Sequence, residues 1–275
     1  MHPLELGFGA ALAVGGPWLF HQGFKALRVQ TLIRNTPTAR VRSMAIGLVE
    51  VTGSVLPRSR TVAPFSGQPC VWWGVEIQTL ANKSKSGTRS WHTVHRADSG
   101  RPFYLRDETG VALVYPQGAD CKVAFDVVEE TGGLGVPQMY TDFMESRGLG
   151  MRHLWSVGPM RFRERRLEEG RAVYVLGRAN PKSVARTVSF DEEALEATGT
   201  DSYGAKHVRT LDDEVCAVIR RGPHDPAFLI STTSEKSETF LYGLKAFGGL
   251  IGGPLLTVFG VWCLLELAKS GHWFR

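Results

Sequence analysis

From Ala246 to Leu265 the chain reads AFGGLIGGPLLTVFGVWCLL, 20 residues without a charge. At about 1.5 Å rise per residue a helix of this length reaches roughly 30 Å, the thickness of a bilayer's hydrocarbon core. A core helix of a soluble domain would carry a polar face, and this segment has none, so it is expected to span a membrane. Tyr242 before it and Trp273 after it are placed to sit at the two interfaces. Glycines recur four apart, Gly248 with Gly252 and Gly249 with Gly253. That spacing puts each pair on one helix face and lets backbones approach closely in lipid, so all four are expected to pack helices. Pro254 lies inside the span and is expected to bend it.

A second, shorter apolar run stands at the other end. Leu6 to Phe20 reads LGFGAALAVGGPWLF and holds Gly15, Gly16 and Pro17. It follows MHPLE, which has no Lys or Arg. A cleaved signal would need a basic start and a small-residue cleavage site, so a short spanning helix is expected here. The domain boundaries that result are residues 4–24 and 243–267 for two transmembrane helices, with residues 25–239 between them.

The middle alternates with period two, the spacing of half-buried strands. Ala45–Val51, Val71–Ile77 and Val173–Leu176 carry the pattern, with shorter runs at Phe103–Leu105, Val111–Val114, Val123–Phe125 and Val215–Ile219. Turn residues separate them, as in Ser66-Gly67-Gln68-Pro69 and Pro116-Gln117-Gly118. Short helices are expected at Tyr140–Arg147 and Glu192–Ala197. The fold class is therefore mainly β, an antiparallel barrel or sandwich with a few short helices, set between two transmembrane α-helices.

Composition bounds the chemistry. The chain has 275 residues, 43% hydrophobic, with 32 Lys+Arg against 27 Asp+Glu. Such mild basicity excludes an acidic tail and leaves lipid or nucleic acid open as anionic partners. Three stretches hold the excess, Lys25–Arg60, Lys83–Arg106 and Arg147–Arg166, and Trp72, Trp73, Trp91 and Tyr104 lie near the second. Oligonucleotide-binding barrels use basic loops and aromatics in this way. Anionic headgroups beside a membrane explain the same charges more simply, with the aromatics in the core, so membrane lipid is favoured over nucleic acid.

Cys70, Cys121, Cys216 and Cys263 are each more than 40 residues apart, which excludes a zinc ribbon, a RING finger or a redox CxxC. They read as small buried hydrophobes. His92 and His95 in a strand face opposite sides and cannot share a metal without a bulge. Neither GxSxG, a Walker loop, GxGxxG nor HExxH occurs. No catalytic residue, metal or cofactor is expected.

Several segments together resemble a known family. Thr36-Pro37-Thr38 leads to Gly47-Leu48-Val49-Glu50-Val51-Thr52-Gly53, and then to Gly67-Gln68-Pro69-Cys70. Phe103–Asp107, Glu168-Glu169-Gly170 with Val173–Gly177, and Phe228–Ser231 follow in order. This succession resembles the GIDE family, named for a mitochondrial membrane-anchored E3 ubiquitin ligase. The resemblance implies a "beside-a-membrane" domain between two membrane helices. In the eukaryotic ligase, transfer rests on a RING finger after the second helix, which needs eight Cys/His ligands on two zincs. Here ten residues follow Leu265, with His272 their one Cys or His. Ligase activity is thus not carried over, and the chain resembles the RING-less prokaryotic members.

The expected role is a membrane-anchored, non-catalytic binding or scaffolding module, with a protein partner or a homo-oligomer formed through the helices. The alternatives are a component of a ubiquitin-ligase-like system and an uncharacterised membrane-tethered enzyme. Orientation follows from charge. Lys25, Arg28, Arg34, Arg40, Arg42, Lys236 and Lys245 flank the spans on the domain side, against Lys269 and Arg275 outside. The positive-inside rule puts the domain in the cytoplasm and both termini outside.

Overall fold

A computed structural model describes residues 3–80, 89–131, 135–149, 158–182, 211–223, 225, 227–232 and 235–269. The chain divides into two units, Met1–Pro37 with Ser234–Arg275, and Thr38–Thr233. Among the described residues the longer helices are α1 (Pro3–Asn35), α2 (Gln138–Ser146) and α3 (Glu235–Lys269). Thirteen strands are described. They are β1 (Gly47–Pro57), β2 (Thr61–Val62), β3 (Pro69–Cys70), β4 (Trp72–Leu80), β5 (Trp91–Asp98), β6 (Phe103–Arg106), β7 (Val111–Val114), β8 (Asp120–Lys122), β9 (Val127–Thr131), β10 (Met160–Leu167), β11 (Ala172–Pro181), β12 (Val215–Arg220) and β13 (Leu229–Ser231).

Within the β unit, β1, β6, β7, β12 and β11 pair in that order, and β11 returns to β1 to close a five-stranded barrel. Closure leaves these strands no open edge. The inward residues are the apolar ones that mark the strands in sequence: Val49, Val51 and Val55 of β1 meet Phe103, Leu105, Val175 and Ile219. Trp72 enters the same core and is 2% exposed. The expectation of a purely antiparallel arrangement is corrected at two places. β12 lies parallel to β7, and β13 parallel to β8. Both join strands far apart in sequence, where no hairpin dictates direction. The run Val123–Phe125 is also corrected, because the strand there is Asp120–Lys122. The expected helix at Glu192–Ala197 and the loop at 83–87 lie outside the described residues.

A four-stranded antiparallel sheet, β5-β4-β10-β9, forms the second layer. One of its faces carries α2, through Tyr140, Phe143 and Met144 against Trp73, Ile77 and Phe162. Tyr140 stacks on Phe162 at 4.6 Å between centroids, and Phe65 meets Tyr140 at 4.7 Å. Full burial of each such side chain contributes about 1.5–3 kcal/mol.

The turn between β6 and β7 holds the segment before β1. Asp107 accepts hydrogen bonds from the N–H of Val41 at 2.8 Å, of Thr109 at 2.6 Å and of Gly110 at 2.9 Å. Burial alone would raise its pKa, but these bonds and one from the Thr109 hydroxyl together hold it below the usual 3.8. A depressed carboxylate contributes stability that is present above its unfolded value and lost as pH falls through the folded one. Asp107→Asn is therefore expected to lower the urea midpoint at pH 7 and to leave it unchanged near pH 2. Equal losses at both values would show that the charge is immaterial.

In the helical unit α1 and α3 run antiparallel and pack closely. Among the described positions, those buried in α1 before residue 25 are Gly9, Gly16 and Gly23, and those buried in α3 are Ala246, Gly249, Gly253 and Gly260. A Cβ on Gly23 would lie 2.7 Å from the Gly249 Cα, and one on Gly253 2.8 Å from the Gly16 carbonyl oxygen. Large apolar side chains point the other way. Trp18, Phe247, Leu255 and Val258 are 64%, 65%, 65% and 69% exposed. Small residues inside and large apolar ones outside is the reverse of a water-soluble helix pair and suits a lipid surround. Both helices continue through Pro17 and Pro254.

Tyr242–Glu266 in α3 is long and apolar enough to cross a membrane. The expected first span does not meet that measure: its apolar run is shorter and includes Gly15, Gly16 and Pro17.

Candidate functional site

The residues that carry the family resemblance hold backbone in place. Thr36 closes α1, its hydroxyl donating to the Leu32 carbonyl at 2.8 Å. Pro37 ends the helical unit. Thr38 donates to Glu50 Oε1 at 2.6 Å, the Tyr174 hydroxyl donates to Oε2 at 3.1 Å, and the Ala39 N–H reaches the Glu50 carbonyl at 2.7 Å. Glu50 is 1% exposed, so the Thr38 and Tyr174 hydroxyls offset the cost of burying its carboxylate. Gly47 takes a φ of +133°, and a Cβ on Gly53 would stand 2.6 Å from the Arg106 carbonyl oxygen. Gly67, at a φ of +65°, turns the chain between β2 and β3, where Pro69 and Cys70 pair with Val62 and Thr61.

That turn rests on a second buried carboxylate. Glu164 of β10 is fully buried and accepts the N–H groups of Phe65 at 2.6 Å and Ser66 at 3.2 Å. Burial, with the Glu164 charge nearby, pushes the Cys70 thiol up to about 11. Burial likewise pushes Cys121 to about 12. Both are inert as nucleophiles at neutral pH. All four cysteines are free; Cys216 is exposed and Cys263 half-buried, which corrects the reading of all four as buried.

The two histidines were expected on opposite faces. β5 has an irregular register instead: His92 pairs with Thr79 and Thr93 with Gln78, but His95 pairs with Ile77. Val94 is the extra residue, so the bulge brings both histidines to the face that carries α2. His92 Nε2 lies 3.1 Å from the Ser90 hydroxyl. His95 packs edge-on to Phe143, and burial, then the Arg147 charge, lower its pKa. Among the described residues no group of three or more His, Cys, Asp or Glu is placed to hold a metal ion.

Polar chemistry concentrates on the other face of this sheet. β10 reads Met160-Arg161-Phe162-Arg163-Glu164-Arg165, and its alternation sends Phe162 and Glu164 inward while Arg161, Arg163 and Arg165 share the outer face. Two of the basic stretches thereby meet, because Arg96 of β5 stands across Glu76 of β4 from Arg163. Glu76 is 7% exposed and has three guanidinium groups around it, Arg96 at 3.3 Å, Arg163 at 3.5 Å and Arg165 at 3.9 Å. Arg161 pairs with Glu130 at 2.6 Å. Two rings lie beneath, Trp91 4.1 Å from the Arg161 guanidinium carbon and Phe125 3.6 Å from that of Arg163. Burial lowers the pKa of Arg163 first; the Glu76 charge opposes this, and the charges of Arg161, Arg165 and Arg96 add to the lowering. Of the aromatics expected beside the charges, Trp72, Trp73 and Tyr104 are core residues. Phe125 was missed, since it lay in a run read as a strand.

Of the four glycines expected to pack helices, Gly249 and Gly253 lie against α1. Gly248 has nothing within 4 Å of a Cβ, and Gly252 only Leu19 at 3.7 Å. Gly16 and Gly23 of α1 supply the opposing close contacts, and their spacing of seven is the signal in the sequence.

Residues 76–189 match the family model GIDE, described as E3 Ubiquitin ligase. The match begins within β4 and ends beyond β11, and it bears out the resemblance read from the sequence. The Thr36–Gly53 segment lies ahead of it. No curated protein and no solved structure matches the chain.

Proposed function

We propose that this GIDE-domain protein is a membrane-anchored binding or scaffolding module with two spans, α1 and α3, and no ubiquitin transfer of its own. The observation that carries this reading is the helix pair with glycine inside and large apolar side chains outside. Two features support the absence of chemistry. The buried carboxylates Glu50 and Glu164 are engaged by the fold, and the scattered cysteines of the sequence supply no RING ligand set. The charge asymmetry, seven Lys/Arg against two, supports a cytoplasmic domain.

The family description favours a second reading, a component of a ubiquitin-ligase system that relies on a RING from another chain. Two experiments test these readings. Membranes holding the full chain, washed with alkaline carbonate, are expected to keep it in the pellet; recovery in the supernatant would end the anchored reading. The purified chain with ubiquitin, activating enzyme and a permissive conjugating enzyme is expected to form no ubiquitin conjugates. Conjugates that depend on the chain alone would establish it as a ligase.

A further inference from the structure

We propose that the outer face of the β5-β4-β10-β9 sheet binds the phosphate of an anionic lipid headgroup, with Arg163 at its centre and Arg96 and Arg161 beside it. This assignment rests on the membrane-anchored reading and adds the ligand to it. Four guanidinium groups stand on the face against three carboxylates, Glu76 and Glu130 within the patch and Asp98 across from Gly74. Asp98, at the end of the face, accepts the Gly100 N–H at 2.8 Å.

The internal pairing is incomplete. Neither the Arg96 nor the Arg163 guanidinium makes a hydrogen bond to a described residue, and their approaches to Glu76, at 3.3 and 3.5 Å, are longer than charge-assisted bonds of about 2.7–2.9 Å. Arg163 keeps a side-chain exposure of 27%, so Phe125 and Glu76 hold its position while its guanidinium stays open to solvent. A planar fork held on an aromatic ring and crowded by like charges is what an incoming phosphate relieves.

Size selects the occupant. Arg161 and Arg165 are four residues apart on one strand, about 13 Å, and Arg96 and Arg163 are two strands apart, about 10 Å. One or two headgroups cover such a patch, whereas a single nucleic-acid strand needs a longer basic track. The domain is joined at both ends to the helical unit, after Pro37 and before Ser234, which keeps lipid at high effective concentration.

Native mass spectrometry of the full chain in detergent, with added dioctanoyl-phosphatidylglycerol or dioctanoyl-phosphatidylcholine, tests the assignment. Wild type is expected to retain phosphatidylglycerol preferentially. The double variant Arg161→Gln/Arg163→Gln is expected to retain it about tenfold less, with phosphatidylcholine unchanged. Arg40→Gln removes an exposed charge paired with Glu108 away from this face and is expected to behave as wild type. An unchanged preference in the double variant, or an equal loss in Arg40→Gln, would overturn the site. If the double variant aggregates, Val128→Glu gives the same test, since Val128 is 57% exposed and stands opposite Arg163; unchanged retention there also overturns it. Tighter binding of oligothymidylate than of phosphatidylglycerol, lost in the double variant, would reassign the face to nucleic acid. Carbonate extraction is independent of all these outcomes, so failure of the headgroup site leaves the anchor standing and failure of the anchor is seen separately.

Discussion

Glu164→Ala is expected to destabilise the β domain by about 3 kcal/mol. The carboxylate is fully buried and accepts the N–H groups of Phe65 and Ser66, which open the turn between β2 and β3. Truncation leaves the Phe65 donor buried without an acceptor. It also frees Phe65 from its place between Tyr140, Phe143 and Phe162, at centroid distances of 4.7, 5.4 and 5.7 Å. Glu164→Gln keeps one acceptor and the shape, so a smaller loss is expected. Urea unfolding of the two variants, followed by tryptophan fluorescence, checks the order. Equal and small losses would mean that water replaces the carboxylate.

Gly253→Leu is expected to separate α1 from α3. A Cβ alone would meet the Phe20 nitrogen at 2.7 Å and the Gly16 carbonyl oxygen at 2.8 Å, both backbone atoms that cannot turn aside. A leucine there costs about 3 kcal/mol or more of helix association. Gly248→Leu meets nothing within 4 Å of its Cβ and is expected to be silent. The readout is a short bismaleimide bridge between Leu19→Cys and Gly252→Cys, whose parent side chain and Cβ position are 3.7 Å apart. In a background without native cysteines, bridging should fall in Gly253→Leu and persist in Gly248→Leu. Equal yields would show that the glycine contacts do not hold the pair.

The strands that were legible in the sequence are those with β-branched residues on the buried face. Val111–Val114 is found at its observed bounds, and Val215–Ile219 falls one residue short. β10 was hidden for the opposite reason. Its outer residues are arginines and one inner residue is Glu164, so a strand with regular alternation reads as a charge run. The direction of β12 beside β7 and of β13 beside β8 was out of reach, because both pairs join distant segments. The histidine facing failed on one residue: the bulge at Val94 leaves no mark in composition or period. On the helices, glycine spacing of four named the face, but of those four glycines only Gly249 and Gly253 meet α1 closely, and the partner glycines are spaced by seven. The arginine face was legible as charge and invisible as a site, because its members come from β5 and β10 and meet only through β4.

The most direct test of the two-span anchor is cysteine labelling on intact bacterial spheroplasts with a membrane-impermeant maleimide. Single-cysteine variants of the full chain are needed at His2, at Glu108, whose side chain is 86% exposed, and at Gly271. Two spans with a cytoplasmic domain predict labelling at His2→Cys and Gly271→Cys without lysis, and at Glu108→Cys only after lysis. Labelling of Glu108→Cys on intact cells, or of only one terminus, would contradict it.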